Sequence, residues 1–460
     1  MSARIVAVVV GLLIGCAGVK IIDPLTDAGI GLVDGGSNTS SDAGGCLAPE
    51  TLESSTIEAG RIFLVEGGVG GDFIPRLAWD NLYLVWGTGR PADVAAAARA
   101  RYGFAKALTA NDGLPMGLTA AGSWVRADCR VCHAGEVAGE TLMGAPNTQV
   151  DLELLVDDLK ALAALSGMPV TPRVALRTGA RGISDIIGMT IQLGELEKPS
   201  PLPLHREIGF QDPPAWWSLA AKTRVYTDGS APQRGHRTFM ATQLAFGTSQ
   251  SALEALEPSY VKLRAYMLSL RPPAWPFEAP AGDEVERGRA LFGAQCASCH
   301  GAASCERSES VEVARADIGT DPARNEQFGD NEIAVINGSW FGARDPLRRT
   351  GGYIAPPLRG VWASAPYFHN GSVPTLEGVL DSTKRPKRFR LLGTARASYD
   401  PVAVGLKVQT YESAPVNPPR AERAALYDTT RSGLGNGGHL FGDALTAAQR
   451  HDLLSFLKTR

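Results

Sequence analysis

The sequence predicts a mainly α protein with two similar domains and long loops, preceded by a signal peptide and a flexible linker. Two observations predict this plan: the pattern Cys-x-x-Cys-His occurs at 129–133 and again at 296–300, and helical apolar periodicity lies beside both copies. The length of 460 residues gives room for about two to three domains. A hydrophobic share of 44% excludes general disorder, and a net charge of −3 gives no reason to expect a nucleic-acid partner.

The N-terminus predicts export. Arg4 is followed by an apolar stretch at 5–14, which is typical of a secretory signal peptide and too short for a stable transmembrane anchor. The segment 13–16 reads Leu-Ile-Gly-Cys and resembles a bacterial lipobox, in which the cysteine is acylated and becomes the first mature residue. We therefore expect residues 1–16 to form a lipoprotein signal peptide with lipid on Cys16. A plain signal peptide with a chance cysteine is the alternative.

Residues 17–59 are expected to form a flexible linker, because 34–45 is rich in Gly, Ser and Asp and has no large apolar side chain to bury. Acyl chains on Cys16 would hold the protein to a membrane surface. Ala17 stands where an Asp is associated with retention in the inner membrane, so the outer membrane is favoured. The expected location is the periplasm or cell envelope, with a lipid anchor.

Both Cys-x-x-Cys-His segments carry the signature of covalent c-type haem attachment. The two thiols bond the vinyl groups of one haem from a single helical turn, and the following His binds the iron. A zinc ribbon would need closer cysteine pairs, and a thioredoxin-like redox pair does not require the His. We therefore expect two covalently bound haems, the first on Cys129, Cys132 and His133 and the second on Cys296, Cys299 and His300.

Two further cysteines, Cys46 and Cys305, are left over from these assignments. In an oxidising compartment they could form a disulfide, and two separate thiols are the alternative.

The second domain is predicted to be cytochrome c-like and to span 282–460. A short helix at 284–292 precedes the second motif, with Gly288 permitting a close helix crossing. Thr446 opens a capping box before a terminal helix. Cytochrome c domains pack such a helix across the one that precedes the haem motif, and we expect its apolar stripe to be Leu453, Leu454, Phe456 and Leu457.

The first domain is predicted to be an all-α, cytochrome c-like unit at 60–275. Helices are expected at 92–102 and at 151–165. The second of these has apolar residues at 152, 155, 156 and 159, the spacing of a buried helical face.

The ligand on the far side of each iron decides between electron transfer and chemistry with oxygen or peroxide. His439 follows a Gly-rich loop just before the terminal helix, which makes it the expected second ligand of the second haem. His369 is expected to hold loop backbone and a haem propionate, with ligation as the alternative. His451 is expected to be exposed.

At this point the chain resembles a known family. The segments 353–362 and 365–376 are similar to the bacterial di-haem cytochrome c peroxidase superfamily, which includes the tryptophan-tryptophylquinone maturation enzyme and the rubber oxygenases. The stretch 435–442 with His439 and the segment 111–115 resemble the rubber-oxygenase branch most closely. The resemblance extends over roughly 100–460.

The resemblance implies a division of labour between the haems. The first, on His133, would react with peroxide or dioxygen, and the second, on His300 and His439, would relay electrons. The methionine that ligates the relay haem in true peroxidases has no counterpart here. The family also places a tryptophan between the haems, for which Trp217 and Trp216 are the candidates, and some relatives hold a calcium ion between the domains. The sequence itself shows no calcium site.

The distal side of the first haem has several candidates between 236 and 240. His236 could ligate the iron or act as an acid–base group, and Met240 could close the site. Phe239 could leave an open apolar pocket. Arg237 could stabilise negative charge on oxygen, but an exposed surface arginine is the favoured interpretation.

Together these features predict an exported di-haem oxidoreductase with peroxidase-like chemistry. An oxygenase that cleaves an apolar substrate and a non-enzymatic electron carrier are the alternatives. The expected partners are peroxide or dioxygen, a periplasmic electron donor or acceptor of unknown identity, and a membrane through the lipid anchor.

Overall fold

The computed structural model describes residues 46–167, 176–186, 188, 208–241, 243, 248–327 and 329–460. It is mixed, 41% helical and 14% strand. The expectation of a mainly α protein is therefore too simple, since small sheets recur throughout both halves of the chain. We call residues 46–275 the first half and residues 282–460 the second half. The predicted signal peptide, the lipid site at Cys16 and the linker up to residue 45 lie outside the described residues.

The α-helices of the described residues are numbered in chain order. They are α1 (Ser54–Val65), α2 (Arg76–Asp80), α3 (Val94–Tyr102), α4 (Arg130–His133), α5 (Leu152–Leu165), α6 (Arg237–Met240), α7 (Gln250–Ser269), α8 (Gly282–Gln295), α9 (Ala297–His300), α10 (Arg315–Ile318), α11 (Ala323–Glu326), α12 (Asp330–Asn337), α13 (Trp340–Arg344), α14 (Leu376–Leu380), α15 (Arg420–Ala425) and α16 (Ala447–Leu457).

The strands form small antiparallel sheets. The first sheet has the order β1 (Gly71–Pro75), β3 (Trp124–Ala127), β2 (Leu118–Ala121), and another has the order β15 (Val408–Thr410), β12 (Arg388–Leu391), β16 (Tyr427–Asp428). The remaining strands pair two by two: β4 (Ala134–Val137) with β5 (Glu140–Met143), β6 (Thr178–Ala180) with β7 (Ile183–Ser184), β8 (Arg224–Val225) with β9 (Ala231–Pro232), β10 (Glu312–Ala314) with β11 (Gly352–Ile354), and β13 (Tyr399–Asp400) with β14 (Gly405–Leu406).

The helix crossing predicted for the second half is present. Helix α16 packs across α8, and a Cβ added to Gly288 would lie 2.0 Å from the carbonyl oxygen of Asp452. The rings of Phe292 and Phe456 meet beside this contact at 5.3 Å. Thr446 caps α16 in the predicted capping box with Gln449. The residues expected to form the apolar stripe of α16 are buried: Leu453, Leu454, Phe456 and Leu457.

The prediction of an all-α first half is wrong. Strands β1 to β9 lie in it, and β2 and β3 form a hairpin that leads into the first Cys-x-x-Cys-His segment. The turn contains Gly122 at φ +59°, flanked by short runs of strand-forming residues, which is a hairpin signal in the sequence. The predicted helices are present as α3 and α5.

The buried face of α5 differs from the predicted stripe. Its buried residues include Leu154, Leu155 and Leu162, so of the four expected positions only 155 is fully buried. Asp158 is buried on this face as well, where Arg101 and the hydroxyl of Tyr102 donate hydrogen bonds to it. A polar pair of this kind is invisible to a count of apolar spacing.

The linker was expected to reach residue 59, but its last part is folded. Helix α1 begins at Ser54 and crosses α7 closely, since a Cβ on Gly60 would lie 2.0 Å from the carbonyl oxygen of Lys262. Before α1, Cys46 forms a disulfide with Cys305 of the second half, with Cα atoms 5.2 Å apart. Of the two alternatives for these cysteines, the structure contains the disulfide.

The two halves share their hydrophobic cores. One cluster joins Trp217 of the first half to Phe292 and Trp362 of the second. A second cluster of first-half residues also receives Leu347 of the second half. In the described part of the chain, no helix combines the length and apolar character that crossing a membrane requires.

Candidate haem-binding sites

The first motif forms a single helical turn. The amide of His133 donates to the carbonyl oxygen of Cys129 at 3.0 Å, so both cysteines and the histidine lie on one short segment around α4. The side chains of Cys129, Cys132 and His133 are partly buried, and both thiols are free. Nδ1 of His133 lies 3.1 Å from the carbonyl oxygen of Pro214. With the proton on Nδ1, this contact leaves Nε2 to face a metal.

The second motif repeats this arrangement. The amide of His300 donates to the carbonyl oxygen of Cys296 at 3.0 Å, and the thiols of Cys296 and Cys299 are free. Nδ1 of His300 lies 2.8 Å from the carbonyl oxygen of Pro356. Metal-binding histidines characteristically donate their other ring N–H to such a carbonyl, which fixes the tautomer and the ring orientation.

The environment of the first pair of thiols differs from that of a redox-active cysteine pair. Burial raises the pKa of Cys129 and of Cys132 to about 12. Redox-active thiols need a lowered pKa, because the thiolate is the reactive form. Burial also lowers the pKa of His133 to about 4, against the opposing effect of its hydrogen bond to Pro214, so its imidazole is neutral and able to bind a metal.

His439, which the sequence analysis expects to be a second axial ligand, lies across from His300. Their ring centroids are 6.3 Å apart and the planes are inclined by 57°. A metal–imidazole nitrogen bond is about 2.0–2.1 Å long, so one metal between two facing imidazoles separates their centroids by roughly 6 Å. The Nδ1 atom of His439 is buried and has no hydrogen-bond partner. These observations fit a haem iron held between the two histidines.

The backbone places His439 in this position. The residue has φ +47°, and its amide donates to the carbonyl oxygen of Ile318. The guanidinium of Arg385 donates to the carbonyl oxygens of Asn436 and Gly438, 2.9 and 2.7 Å away, which holds the Gly-rich loop in place. Burial, and then the neighbouring charge of His300, lowers the pKa of His439 to about 4.

Trp216 and Trp217 connect the surroundings of the two motifs. The indole of Trp216 stacks on the imidazole of His133, with centroids 5.0 Å apart and planes inclined by 25°. Trp216 belongs to the cluster against which Cys129 packs, whereas Trp217 belongs to the cluster against which Cys296 packs. Trp217 packs closely against the backbone of residue 360. This residue must be a glycine, because a Cβ there would lie 2.7 Å from the Nε1 of Trp217.

The distal candidates for the first site form one polar group. Nε2 of His236 and the guanidinium of Arg237 both contact the carboxylate of Glu257, at 2.7 Å. The guanidinium of Arg237 also lies 3.8 Å from the ring centroid of Trp340, so this arginine is a partly buried and paired residue. The expectation of an exposed surface arginine is wrong.

Phe239 and Met240 pack in the cluster that contains Trp216 and contacts Cys129. Met240 is fully buried. The contact of His236 with Glu257 leaves only its Nδ1 to face an iron. Among the described residues, no ring contact joins any candidate at 236–240 to His133. The structure therefore brings these residues near the first motif without assigning a distal ligand.

Two further histidines of the described residues differ in their exposure. His451 is 57% exposed and pairs with Glu284, as expected. His369 stacks on Tyr353 with centroids 4.2 Å apart, and its Nε2 is buried without a hydrogen-bond partner. Burial, and then the positive charge of Arg324, lowers the pKa of His369 to about 3.

The described residues contain no cluster of three or more His, Cys, Asp or Glu side chains arranged to hold a metal ion. A calcium ion between the domains stays an expectation from the resemblance alone.

Pro214 and Pro356 are the functional residues that sequence reasoning missed. Both belong to Pro-Pro pairs, at 213–214 and 356–357. Pro214 lies 81 residues after His133, and Pro356 lies 56 residues after His300. The carbonyl oxygen of each proline accepts a hydrogen bond from its histidine. A proline carbonyl accepts hydrogen bonds although the residue has no N–H to donate. Pro-Pro pairs also occur at 272–273 and 418–419, so the pairs alone would not have identified these two carbonyls.

Comparison with known proteins supports the class of protein that these sites suggest. A family model described as RoxA-like, cytochrome c-like matches residues 352–390. A cytochrome c-like domain implies covalently bound haem, which agrees with the free thiols and metal-facing histidines of the motifs. At a coarse level, the match also supports the resemblance to the rubber-oxygenase-like di-haem cytochromes.

Two proteins of Sinorhizobium fredii are similar to the chain over part of its length. An uncharacterized protein, y4iM, is 30% identical over 292 residues, which are 54% of this chain and 64% of that protein. A second uncharacterized protein, y4iJ, is 25% identical over 259 residues, 41% of each chain. The chain thus spans less than two thirds of the length of either relative.

Proposed function

We propose that the protein is a di-haem c-type cytochrome with oxidoreductase activity. The haem on His133 would be the reaction site for peroxide or dioxygen, and the haem on His300 and His439 would relay electrons. The observation that carries this proposal is the asymmetry between the motifs. His300 faces a second imidazole at 6.3 Å, whereas among the described residues no ring contact joins His133 to another imidazole, its ring contact being the stack on the indole of Trp216.

The asymmetry favours different chemistry at the two sites. An iron held by two protein ligands has no free position for a substrate and is suited to electron transfer, whereas an iron with an open face can bind oxygen or peroxide. Haem would supply this redox chemistry when bound. The protein supplies the neutral imidazoles, the proline carbonyls that orient them and the apolar clusters that exclude water.

His236, Arg237 and Glu257 are the polar groups proposed to serve the first site. The carboxylate of Glu257 accepts hydrogen bonds from both neighbours, which fixes their side chains. A fixed imidazole can hold or move a proton at Nδ1, and a buried guanidinium stabilises negative charge nearby. Phe239 contributes an apolar wall on the same side.

The adjacent pair of tryptophans is proposed to conduct electrons between the sites. Trp216 contacts the imidazole of His133, and Trp217 packs in the core that Cys296 also contacts. One short segment thereby lies in the cores beside both motifs. Indole is readily oxidised, which suits an intermediate in electron transfer.

A second candidate function is oxygenase cleavage of an apolar substrate, and the RoxA-like match at 352–390 favours it. It uses the same first site with dioxygen in place of peroxide. The two candidates are separated by incubating the holoprotein with hydrogen peroxide plus a reduced dye, or with dioxygen plus a polyisoprene emulsion. Dye oxidation alone supports the peroxidase, and oxygen uptake with carbonyl-containing products supports the oxygenase. If the protein shows neither activity, the result favours a di-haem electron carrier.

We also propose that the protein is exported and lipid-anchored in the cell envelope, where its electron partner would be found. The disulfide between Cys46 and Cys305 supports an oxidising compartment, because such bonds are rare in a reducing cytosol. Mass spectrometry of the purified membrane fraction tests the anchor. A mature chain that begins with acylated Cys16 is expected, and a soluble mature chain that lacks Cys16 would contradict it.

A further inference from the structure

A cavity of about 110 Å³ lies between the two halves of the protein, apart from both Cys-x-x-Cys-His turns. The first half contributes Arg181 and Ile183 to its lining, and the second half contributes Phe389, Arg390 and Tyr427. A water molecule occupies about 30 Å³ in the liquid, so the cavity has room for a small organic molecule. It takes no part in the function proposed above.

Two arginines of the cavity have donors that the protein leaves unused. The guanidinium of Arg181 donates to the carbonyl oxygens of Ala100 and Arg101, but its Nε is buried without a partner. The Nε of Arg390 is likewise buried without a partner. Among the described residues, neither arginine forms an ion pair with an acidic side chain. A buried donor without a partner carries a desolvation cost that an anionic ligand would remove.

The surrounding charges favour an anion as well. Neighbouring arginines are neutralised directly: Arg101 pairs with Asp158, and Arg420 pairs with Asp151 and Glu153. Burial, together with the positive charges of Arg101, Arg390 and Arg420, lowers the pKa of Arg181, with Asp151 acting in the opposite direction. Asp151 thus offsets part of the charge of Arg181 without forming an ion pair with it, and the positive charge left at the cavity is that of Arg181 and Arg390.

The rest of the lining is apolar. The rings of Phe389 and Tyr427 stack with centroids 4.9 Å apart and planes inclined by 6°. The hydroxyl of Tyr427 donates to the carbonyl oxygen of Asn370, so its polar end is already satisfied. Ile183 is fully buried in the same cluster. These side chains offer apolar surface to a ligand, which inorganic phosphate or sulfate would not use.

We propose that this cavity binds a small organic acid, with its carboxylate at Arg181 and Arg390 and its apolar end against Phe389 and Tyr427. Arginine is the side chain best suited to a carboxylate, because its planar fork can donate two parallel hydrogen bonds. Since the two arginines come from different halves, the ligand would bridge the halves.

Isothermal titration of the holoprotein with butyrate tests the proposal. We expect saturable binding with one butyrate per chain, and no binding of the neutral analogue butyramide. Arg181→Gln and Arg390→Gln should each weaken butyrate binding by about tenfold or more, because each removes a charge-assisted hydrogen bond. Arg349→Gln is the matched control, because Arg349 is 58% exposed and pairs with Asp330. This variant should bind butyrate as tightly as the wild type.

Three outcomes would overturn the proposal. If phosphate binds as tightly as butyrate and is equally sensitive to the variants, the ligand does not use the apolar surface of Phe389 and Tyr427. Failure of butyrate to bind, with a shifted haem reduction potential in Arg390→Gln, would assign the arginines to a haem propionate.

Should a glutamine variant fail to fold, Arg390→Lys keeps the charge but loses the fork and should bind butyrate more weakly. Unchanged affinity in Arg390→Lys would contradict the site.

Discussion

The indole of Trp216 stacks on the imidazole of His133, with ring centroids 5.0 Å apart. The same segment supplies the carbonyl of Pro214 to Nδ1 of this histidine. One stretch of chain thus fixes both the tautomer and the ring plane of the proposed metal ligand. The next residue, Trp217, belongs to the cluster against which Cys296 packs, so the segment borders the cores beside both motifs.

Replacing Trp216 should affect the first haem selectively. Trp216→Leu removes the ring that holds the His133 imidazole, so we expect the reduction potential of the first haem to shift and that of the second to stay unchanged. Trp216→Phe keeps an aromatic ring and should restore most of the wild-type value. Potentiometric titration followed by optical spectra measures both haems, with Trp124→Phe as the control, because Trp124 belongs to none of the buried clusters beside the motifs. Equal shifts of both potentials would contradict the assignment.

Replacing His439 should change the second haem. His439→Ala removes the imidazole that faces His300, so a low-spin ferric signal should be lost and a high-spin signal gained. His451→Ala is the control, because His451 is 57% exposed and should leave the spectrum unchanged. His369→Ala tests the competing ligand, whose Nε2 is buried without a partner. Loss of the low-spin signal in His369→Ala, with retention in His439→Ala, would transfer the role to His369.

Two glycines of α8 provide a matched pair for the helix crossing. Gly288→Ala would place a Cβ 2.0 Å from the carbonyl oxygen of Asp452, and we expect a loss of about 1–3 kcal/mol in the free energy of unfolding. A Cβ at Gly293 meets nothing within 4 Å, so Gly293→Ala should stabilise the helix by about 0.4–1 kcal/mol. Denaturant unfolding measures both changes. Equal effects of the two substitutions would argue against the crossing.

Glu257 should make the stability of the first site depend on pH. Burial raises its pKa, but the hydrogen bonds and charges of Arg237 and His236 outweigh this effect and lower the pKa below the ordinary 4.5. A carboxyl with a lowered folded pKa contributes stability above its unfolded pKa, and this contribution disappears as the pH falls through the folded pKa.

Glu257→Gln should therefore lower the melting temperature at pH 7, and its difference from the wild type should shrink as the pH falls below about 4.5. Calorimetric scans between pH 3 and pH 8 measure the difference. Glu254→Gln, on the same helix and outside this group, is the control. A difference that is constant over the whole range would contradict the proposed interaction.

Local patterns in the sequence predicted the features that depend on neighbouring residues. The capping box at Thr446 was sufficient to predict the start of α16, because a cap follows from a short spacing. The crossing of α16 with α8 was expected because cytochrome c domains pack their helices in this way, with Gly288 permitting the close approach. The pairing of His300 with His439 was reached through the Gly-rich loop and the family resemblance. The free thiols and metal-facing histidines agree with haem attachment.

Features that depend on contacts between distant residues could not be predicted in the same way. The disulfide joins residues that are 259 positions apart, and no local pattern states that they meet. The burial of Asp158 could not be predicted from apolar spacing, because its partner, Arg101, is on another helix. The stacking of Trp216 on His133 depends equally on the tertiary fold, so the family resemblance offered Trp217 and Trp216 without showing which of them meets this histidine.

Electron paramagnetic resonance of the oxidised holoprotein, before and after addition of peroxide, tests the central claim most directly. The His300–His439 pair predicts one low-spin ferric haem that ignores peroxide, and the environment of His133 predicts one high-spin haem that responds to it. Two low-spin signals that are both unchanged by peroxide would contradict a reactive first haem and leave the protein an electron carrier.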